Sequence, residues 1–164
     1  MYFSDGKTKI MDLARIDISY GPDDVFLVSC VATKSAYPTI ARDLYISTWF
    51  KKARRHVEEA GLDWFILSAK YGLIHPGKQI EPYELTLNTM PIRERKAWAN
   101  RVFQQIKEEI PDRKKFVFLA GSKYREFLLP LLEADGAQVR VPMIGLTQGR
   151  QMEWFDTHQA HVQA

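Results

Sequence analysis

Four short apolar runs along the chain predict β-strands. They are VFLVSC (25–30), WFILSA (64–69), KFVFLA (115–120) and QVRVPMI (138–144). The first three are apolar at nearly every position, so both faces of each strand would be buried, as in parallel sheets covered by helices. The pattern predicts an α/β fold: a three-layer sandwich around a mainly parallel central sheet of four or five strands.

Helical segments with recognisable ends lie between these runs. Ser47 is the predicted N-cap of a helix that ends at Gly61. The other three helices are predicted over residues 91–111, 121–136 and 147–155. Pro130 should bend or shorten the helix that contains it. Alternating strands and helices imply right-handed crossovers, with a ligand beyond the carboxyl ends of the strands.

The chain of 164 residues has the length of one domain. Residues 25–157 are predicted to form this single α/β domain. Residues 1–24 are interpreted as an N-terminal arm or an extra strand, and residues 158–164 as a frayed tail.

Composition and charge narrow the possible settings of the protein. The net charge of +3 allows a polyanionic partner without requiring one, and the basic run KKARRH (51–56) is the candidate phosphate-binding surface. Cys30 is the only cysteine, which excludes an intramolecular disulfide and favours a cytoplasmic setting. No run approaches the roughly 20 apolar residues of a membrane span, so no membrane association is expected. The four histidines are scattered, and neither a metal nor a cofactor is predicted.

Polar groups gather where the first two predicted strands end. The first is followed by a serine, a cysteine and a lysine, and the second by a serine, a lysine and a tyrosine. A hydroxyl and an ammonium close to a helix N-terminus suit an anion or a carbonyl oxygen. The simpler interpretation is that the serines bond loop amides and the lysines face water.

The long loop after the second strand, residues 73–87, provides further candidates. Glu81 and Tyr83 lie close together in it, and a loop carboxylate beside an aromatic ring can hydrogen-bond and stack a planar ligand. A solvated loop with Tyr83 packed on the core is the alternative. Gly121 and Ser122 follow the third strand as a helix start, without the spacing of a P-loop or a dinucleotide fingerprint.

Several motifs carry a resemblance to known families. VSCxxxK, ARDLYxSxxFxKAR, WFILSAKYGLI with EPYELTL, AGSKYREFLLPLL and VPMIGLTQGRQ together resemble a family of small bacterial and phage domains of unknown function. SAKYGLIHPGKQIEPYEL is similar to the Ser-Pro-Leu-Gly segment of the uracil-DNA-glycosylase-like domain of archaeosine synthase, and GSKYREF to its Gly-Tyr-Arg segment. A looser likeness links the chain to YaaA-type peroxide-stress proteins, which are associated with DNA.

The glycosylase-like resemblance implies a parallel-sheet α/β fold with a base pocket at the strand ends. The chain departs from it in two places. Ser-Cys-Val-Ala-Thr-Lys replaces the Gly-Gln-Asp-Pro motif that activates water, and no His-Pro-Ser loop occurs near the last strand. A likeness of fold does not carry the reaction with it.

The leading hypothesis is a protein that recognises a nucleobase or nucleoside in nucleic acid, with N-glycosidic hydrolysis as its possible reaction. Glu81 would orient water, the lysines would donate hydrogen bonds or contact phosphate, and Tyr71 or Tyr83 would stack the base. The alternatives are a non-catalytic nucleic-acid or nucleotide binding module, and a hydrolase or transferase that depends on Cys30. The predicted catalytic residues are Glu81, Lys70 and Lys34, and the predicted ligand-binding residues are Ser29, Cys30, Tyr45, Ser68, Tyr71, Tyr83, Tyr124 and Arg125.

Overall fold

A computed structural model describes residues 15–29 and 34–163. Its strands are β1 (Ile16–Tyr20), β2 (Val25–Ser29), β3 (Thr39–Ile40), β4 (Trp64–Ser68), β5 (Gly72–Ile74), β6 (Gln79–Ile80), β7 (Lys115–Leu119), β8 (Gln138–Arg140) and β9 (His158–Val162). Its α-helices are α1 (Ala41–Leu44), α2 (Thr48–Ala60), α3 (Ile92–Glu109), α4 (Ser122–Arg125), α5 (Leu128–Ala134) and α6 (Gln148–Thr157). A 3-10 helix spans Leu87–Thr89.

The central sheet has five strands in the order β5-β4-β2-β7-β8. Three of its pairings are parallel, and only the edge strand β5 runs antiparallel to its neighbour β4. Every residue of the central strand β2 is buried, as its unbroken apolar run requires. The predicted α/β fold with a mostly parallel sheet of four or five strands is therefore confirmed.

Successive side chains of the central strands enter two separate cores. Phe26 and Val28 of β2 pack in one core with residues of α2, whereas Val25 and Leu27 pack in the other with residues of α3 and α5. This follows from the two-residue period of a strand, since neighbouring side chains point to opposite faces. Helices consequently cover both faces of the sheet.

The ends of α2 are where the sequence predicts them. The Ser47 hydroxyl accepts a hydrogen bond of 3.2 Å from the backbone N–H of Phe50, and Gly61 ends the helix in the left-handed conformation at a φ of 68°. The predicted third helix, in contrast, is two helices, α4 and α5, separated at Glu126 and Phe127. Pro130 lies in the first turn of α5, where a backbone N–H has no helical acceptor, so it does not cause this break.

Both ends of the described chain form a second, small sheet. β1 and β9 pair in parallel, with Ile16 opposite His158 and Tyr20 opposite Val162. The expectation of a frayed tail over residues 158–164 is therefore wrong for 158–162. Residues 16–20, within the segment interpreted as an arm or extra strand, are a strand. The run HQAHV has one large apolar residue, so its strand depends on the pairing with β1 and not on a pattern of its own.

A buried hydrogen bond connects this small sheet to α2. The Tyr20 hydroxyl of β1 and Nε2 of His56 in α2 are hydrogen-bonded at 2.8 Å, and both residues are about 1% exposed. Trp154 of α6 stacks on the His158 ring with centroids 4.5 Å apart. The small sheet thus extends the core on the α2 side.

The last predicted strand is shorter than expected, and three short strands were not predicted. Only Gln138–Arg140 of the run 138–144 pairs in the sheet, next to β7. β3 and β6 have two residues each and pair with one another, and β5 is a hairpin partner of β4. Within the described part of the chain, no helix has both the length and the apolar character needed to cross a membrane.

Candidate functional site

A cavity of about 240 Å³ opens at the carboxyl ends of β2 and β7. This is the edge at which ligands bind in open parallel sheets. We call it the strand-end cavity. Its lining residues are Ser29, Trp49, Asn88, Gly121, Ser122, Lys123, Tyr124, Gln148 and Gln151.

Buried side chains form the floor of the strand-end cavity. Ser29, Trp49 and Tyr124 are only 2%, 6% and 2% exposed. The Ser29 hydroxyl oxygen accepts a hydrogen bond of 3.1 Å from the N–H of Gly121, which ties the end of β2 to the turn after β7. Its hydroxyl proton has no acceptor among the described residues, so it is available to a ligand.

A hydrogen-bonded pair fixes the wall between α2 and α6. The indole N–H of Trp49 donates to Oε1 of Gln151 at 2.9 Å, while Nε2 of Gln151 donates to the carbonyl of Leu146 at 3.0 Å. These two bonds determine which way the Gln151 amide points. Because Gln151 Nε2 has a second proton, the amide retains one donor for a ligand.

The rim of the cavity is more exposed and more polar than its floor. Asn88, Ser122 and Gln148 are exposed, and Lys123 is half-buried. Gly121 also lies here with an ordinary φ of −65°, and a Cβ built on it would meet nothing within 4 Å. A side chain at position 121 would therefore extend into open space at the mouth without backbone strain.

Three of the four predicted tyrosines meet in a second group beside the end of β4. We call Tyr45, Ser68, Tyr71, Tyr83 and Lys34 the tyrosine cluster. The Ser68 hydroxyl donates to the Tyr83 hydroxyl at 2.7 Å, and the hydroxyls of Tyr83 and Tyr45 are also 2.7 Å apart. Nζ of Lys34 lies 4.5 Å from the centroid of the Tyr83 ring. Ser68, Tyr83 and Tyr45 therefore form a continuous chain of hydrogen-bonded hydroxyl groups, with the Lys34 ammonium over the Tyr83 ring.

Other contacts of the cluster are structural. The Ser68 oxygen accepts from the backbone N–H groups of Lys70 and Tyr71, at 3.2 and 3.0 Å. Ser68 and Ser29 thus both bond loop amides, as the simpler interpretation of the strand-end serines states. The Tyr71 hydroxyl donates to the carbonyl of Glu81 at 3.3 Å, which holds the loop against the cluster.

The remaining predicted residues do not come together at one point. The Glu81 and Lys70 side chains are exposed, and neither lines the strand-end cavity. Arg125 donates to the carbonyl of Ala120 at 2.8 Å, so its guanidinium stabilises the turn after β7. Cys30 lies outside the described residues. Of the predicted residues, the cavity contains Ser29 and Tyr124, and the tyrosine cluster contains five others.

Ion pairs occupy most of the basic run predicted to bind phosphate. Lys52 and Arg55 both pair with Asp156, and Arg54 pairs with Asp43 and Glu58. Their charges are balanced locally, so this face of α2 attracts a polyanion less than the sequence suggests. No group of three or more potential metal ligands occurs in the part of the chain that the structure describes.

Sequence reasoning predicted two of the nine lining residues as site residues, Ser29 and Tyr124, and among those it missed are Trp49, Asn88, Lys123, Gln148 and Gln151. Trp49 was missed because a tryptophan in the first turn of an apolar helix face is typical of a core residue. Asn88 lies in a 3-10 helix that the pattern does not predict. Gln148 and Gln151 follow the cap Thr147, which predicts the start of α6 but not its place at the cavity beside the ends of β2 and β7. Their positions depend on the tertiary fold.

Residues 25–157 match the sequence model of a family described as a family of unknown function (DUF6884). The matched segment includes the central sheet, the six described α-helices and the nine described residues that line the strand-end cavity. It excludes β1 and β9. No curated protein matches the chain.

Proposed function

We propose that this chain, which belongs to the family of unknown function DUF6884, binds a nucleobase or nucleoside in the strand-end cavity. The observation that carries the proposal is the floor of the cavity, where a tryptophan and a tyrosine stand beside oriented, uncharged hydrogen-bonding groups. A nucleobase has two apolar faces and a polar edge of donors and acceptors, and this lining suits both.

The size of the cavity supports a single planar ring system. Sites for drug-sized ligands span about 300–1,000 Å³, and the strand-end cavity at about 240 Å³ is smaller. Ser29 and Gln151 each offer a proton to acceptors on a ring edge. Carbonyl oxygens and ring nitrogens of nucleobases are acceptors of this kind.

The residues that line the cavity favour binding of the ligand over its hydrolysis. Hydrolysis of an N-glycosidic bond needs a group that orients water, and no carboxylate is among the described residues that line the cavity. Glu81, the residue predicted for this role, is exposed on the loop near the tyrosine cluster. We therefore propose a binding module.

The finer fold assignment, a uracil-DNA-glycosylase-like three-layer sandwich, belongs to the same proposal and is supported by helices on both sheet faces.

Calorimetric titration with the four common nucleosides and their free bases tests the proposal. Gly121→Leu fills the mouth of the cavity without removing any side-chain contact, and we expect it to weaken binding by about tenfold or more. Gly149→Leu is the matched control, because Gly149 also has open space around it but does not line the cavity. The control should bind like the unmodified protein.

Two results would contradict the proposal. The first is the absence of heat with every nucleoside and base, and the second is equal binding by the Gly121→Leu and Gly149→Leu variants. Mass spectrometry of the protein incubated with DNA and RNA pools distinguishes binding from turnover. A released free base would establish a glycosylase in place of a binding module. The same assay on Cys30→Ser tests the thiol-dependent alternative.

A further inference from the structure

The strand-end cavity has one neutral end and one cationic end. Its floor residues Ser29, Trp49 and Tyr124 are uncharged and buried. Lys123 is the one charged side chain among the nine described residues that line the cavity, and it is half-buried near the exposed Ser122 at the rim. This described lining therefore carries one positive charge and no carboxylate to balance it.

Lys123 has no counter-ion among the described residues, whereas several other buried or partly buried cations have one. Arg95, Lys52 and Arg113 each form an ion pair with a carboxylate. Lys123 forms none with any carboxylate of the described residues; its neighbour Glu126, three positions on, pairs with Arg95 instead. An ammonium that is partly removed from water gains most from an anion, and a ligand with a negative charge would supply the one that the described residues do not.

From this arrangement we propose that the natural ligand carries a phosphate group, which Lys123 binds at the rim while the base lies on the floor. The inference rests on the proposed function, since it assigns a second part of the ligand to the same cavity. The small volume agrees with it, because a ring fills the interior and leaves the phosphate at the open mouth. Gln148, the first residue of α6, adds the positive end of that helix dipole to the same rim.

The experiment compares each nucleoside with its own phosphates. The full chain is titrated at low salt with the four nucleosides, with their 5′ and 3′ monophosphates, with inorganic phosphate and with short oligonucleotides. We expect a phosphate to tighten binding of the preferred nucleoside by about tenfold or more, as hydrogen bonds to charged groups do.

Charge variants assign that gain to Lys123. Lys123→Gln should abolish the gain, whereas Lys123→Arg should retain it. Lys115→Gln is the matched control, because Lys115 is exposed and lies at the amino end of β7, whereas the cavity lies at the carboxyl end. It removes the same charge and should keep the gain. Unchanged thermal melting of the variants would confirm that they fold.

The possible outcomes separate the two proposals. Binding of nucleosides with no gain from phosphate, or a gain that survives Lys123→Gln, overturns the phosphate inference and leaves nucleoside binding in place. No binding of any nucleoside or nucleotide overturns both. A gain that depends on Lys123 and is larger for monophosphates supports a free nucleotide, and one larger for oligonucleotides supports a nucleic-acid strand.

Discussion

At the scale of single residues, His56 is a buried titratable group with an incomplete set of partners. Its Nε2 is hydrogen-bonded to the Tyr20 hydroxyl, and its Nδ1 has no partner among the described residues. Edge-on contacts with Tyr20 and Phe26 and tilted contacts with Trp154 and Phe155 surround the ring. This burial, together with the smaller electrostatic effects of the nearby His158, Arg55 and Arg15, lowers the pKa of His56 to about 4.

The shifted pKa of His56 predicts how the free energy of unfolding depends on pH. The unfolded chain takes up a proton at this histidine below its ordinary pKa of about 6.5, while the folded chain does not until about pH 4. The stabilising contribution is therefore complete above pH 6.5, and we expect about 3 kcal/mol to be lost as the pH falls from 6.5 to 4.

Urea denaturation at several pH values between 7 and 4 measures this loss. His56→Phe removes the titrating group and keeps a ring of similar size, so it should flatten the pH dependence even though Tyr20 loses its partner. An equally steep dependence in His56→Phe would assign the acid sensitivity to other groups.

Single residues also show where sequence reasoning about the site succeeds and where it ends. Ser29 could be predicted because a polar residue at the end of a buried strand is visible in the pattern, and the sheet order brings it to the cavity. Trp49 and Gln151 could not, because they meet through the packing of α2 against α6, about 100 residues apart in sequence. Glu81 was predicted from its neighbour Tyr83, but adjacent loop residues need not face the same side.

At the scale of elements, local signals determine the ends of α2. The Ser47 hydroxyl accepts from an otherwise unpaired N–H of the first turn. Gly61 adopts a φ of 68°, which residues with a Cβ rarely adopt. Because both signals are local, they could be predicted from the sequence. The division of the predicted third helix into α4 and α5 could not, since no glycine or proline marks Glu126 and Phe127.

We expect Ser47→Ala to lower the free energy of unfolding by about 1 kcal/mol, the usual contribution of a serine N-cap. The loss follows from the unpaired N–H of Phe50. Urea denaturation measures it. Ser122→Ala is the control, because the exposed Ser122 hydroxyl makes no hydrogen bond with the described residues, and it should change stability little. Equal losses in both variants would show that the cap contributes nothing specific.

At the scale of the whole molecule, β1 and β9 lie outside the segment that matches the family. They nonetheless pack on residues inside the matched segment, because Tyr20 contacts His56 and His158 stacks on Trp154. The strand β1 could not be paired from sequence, since its partner has almost no strand pattern. The long strands of the central sheet could be predicted because burial on both faces requires an apolar run. Such a run is visible in the sequence even when the partner strand is unknown.

Removal of residues 158–164 should destabilise the protein markedly. β9 is the strand partner of β1 and accounts for the stacking on Trp154, so its loss releases Tyr20 from its buried position. Exposure of one such aromatic residue costs about 2 kcal/mol. Thermal melting of the shortened chain measures the effect, and removal of Ala164 alone is the control. An unchanged melting temperature would show that the small sheet contributes nothing to stability.

The pairing of β1 with β9 also bears on how the protein reaches its native state. The partners Asp17 and Gln159 are 142 positions apart, and the parallel register leaves no short hairpin to nucleate the pair. Closing so long a loop costs chain entropy before any contact is gained, and such distant contacts slow folding. On the ribosome, β1 is made 142 positions before its partner β9, so assembly of this sheet is completed only after synthesis has passed residue 162.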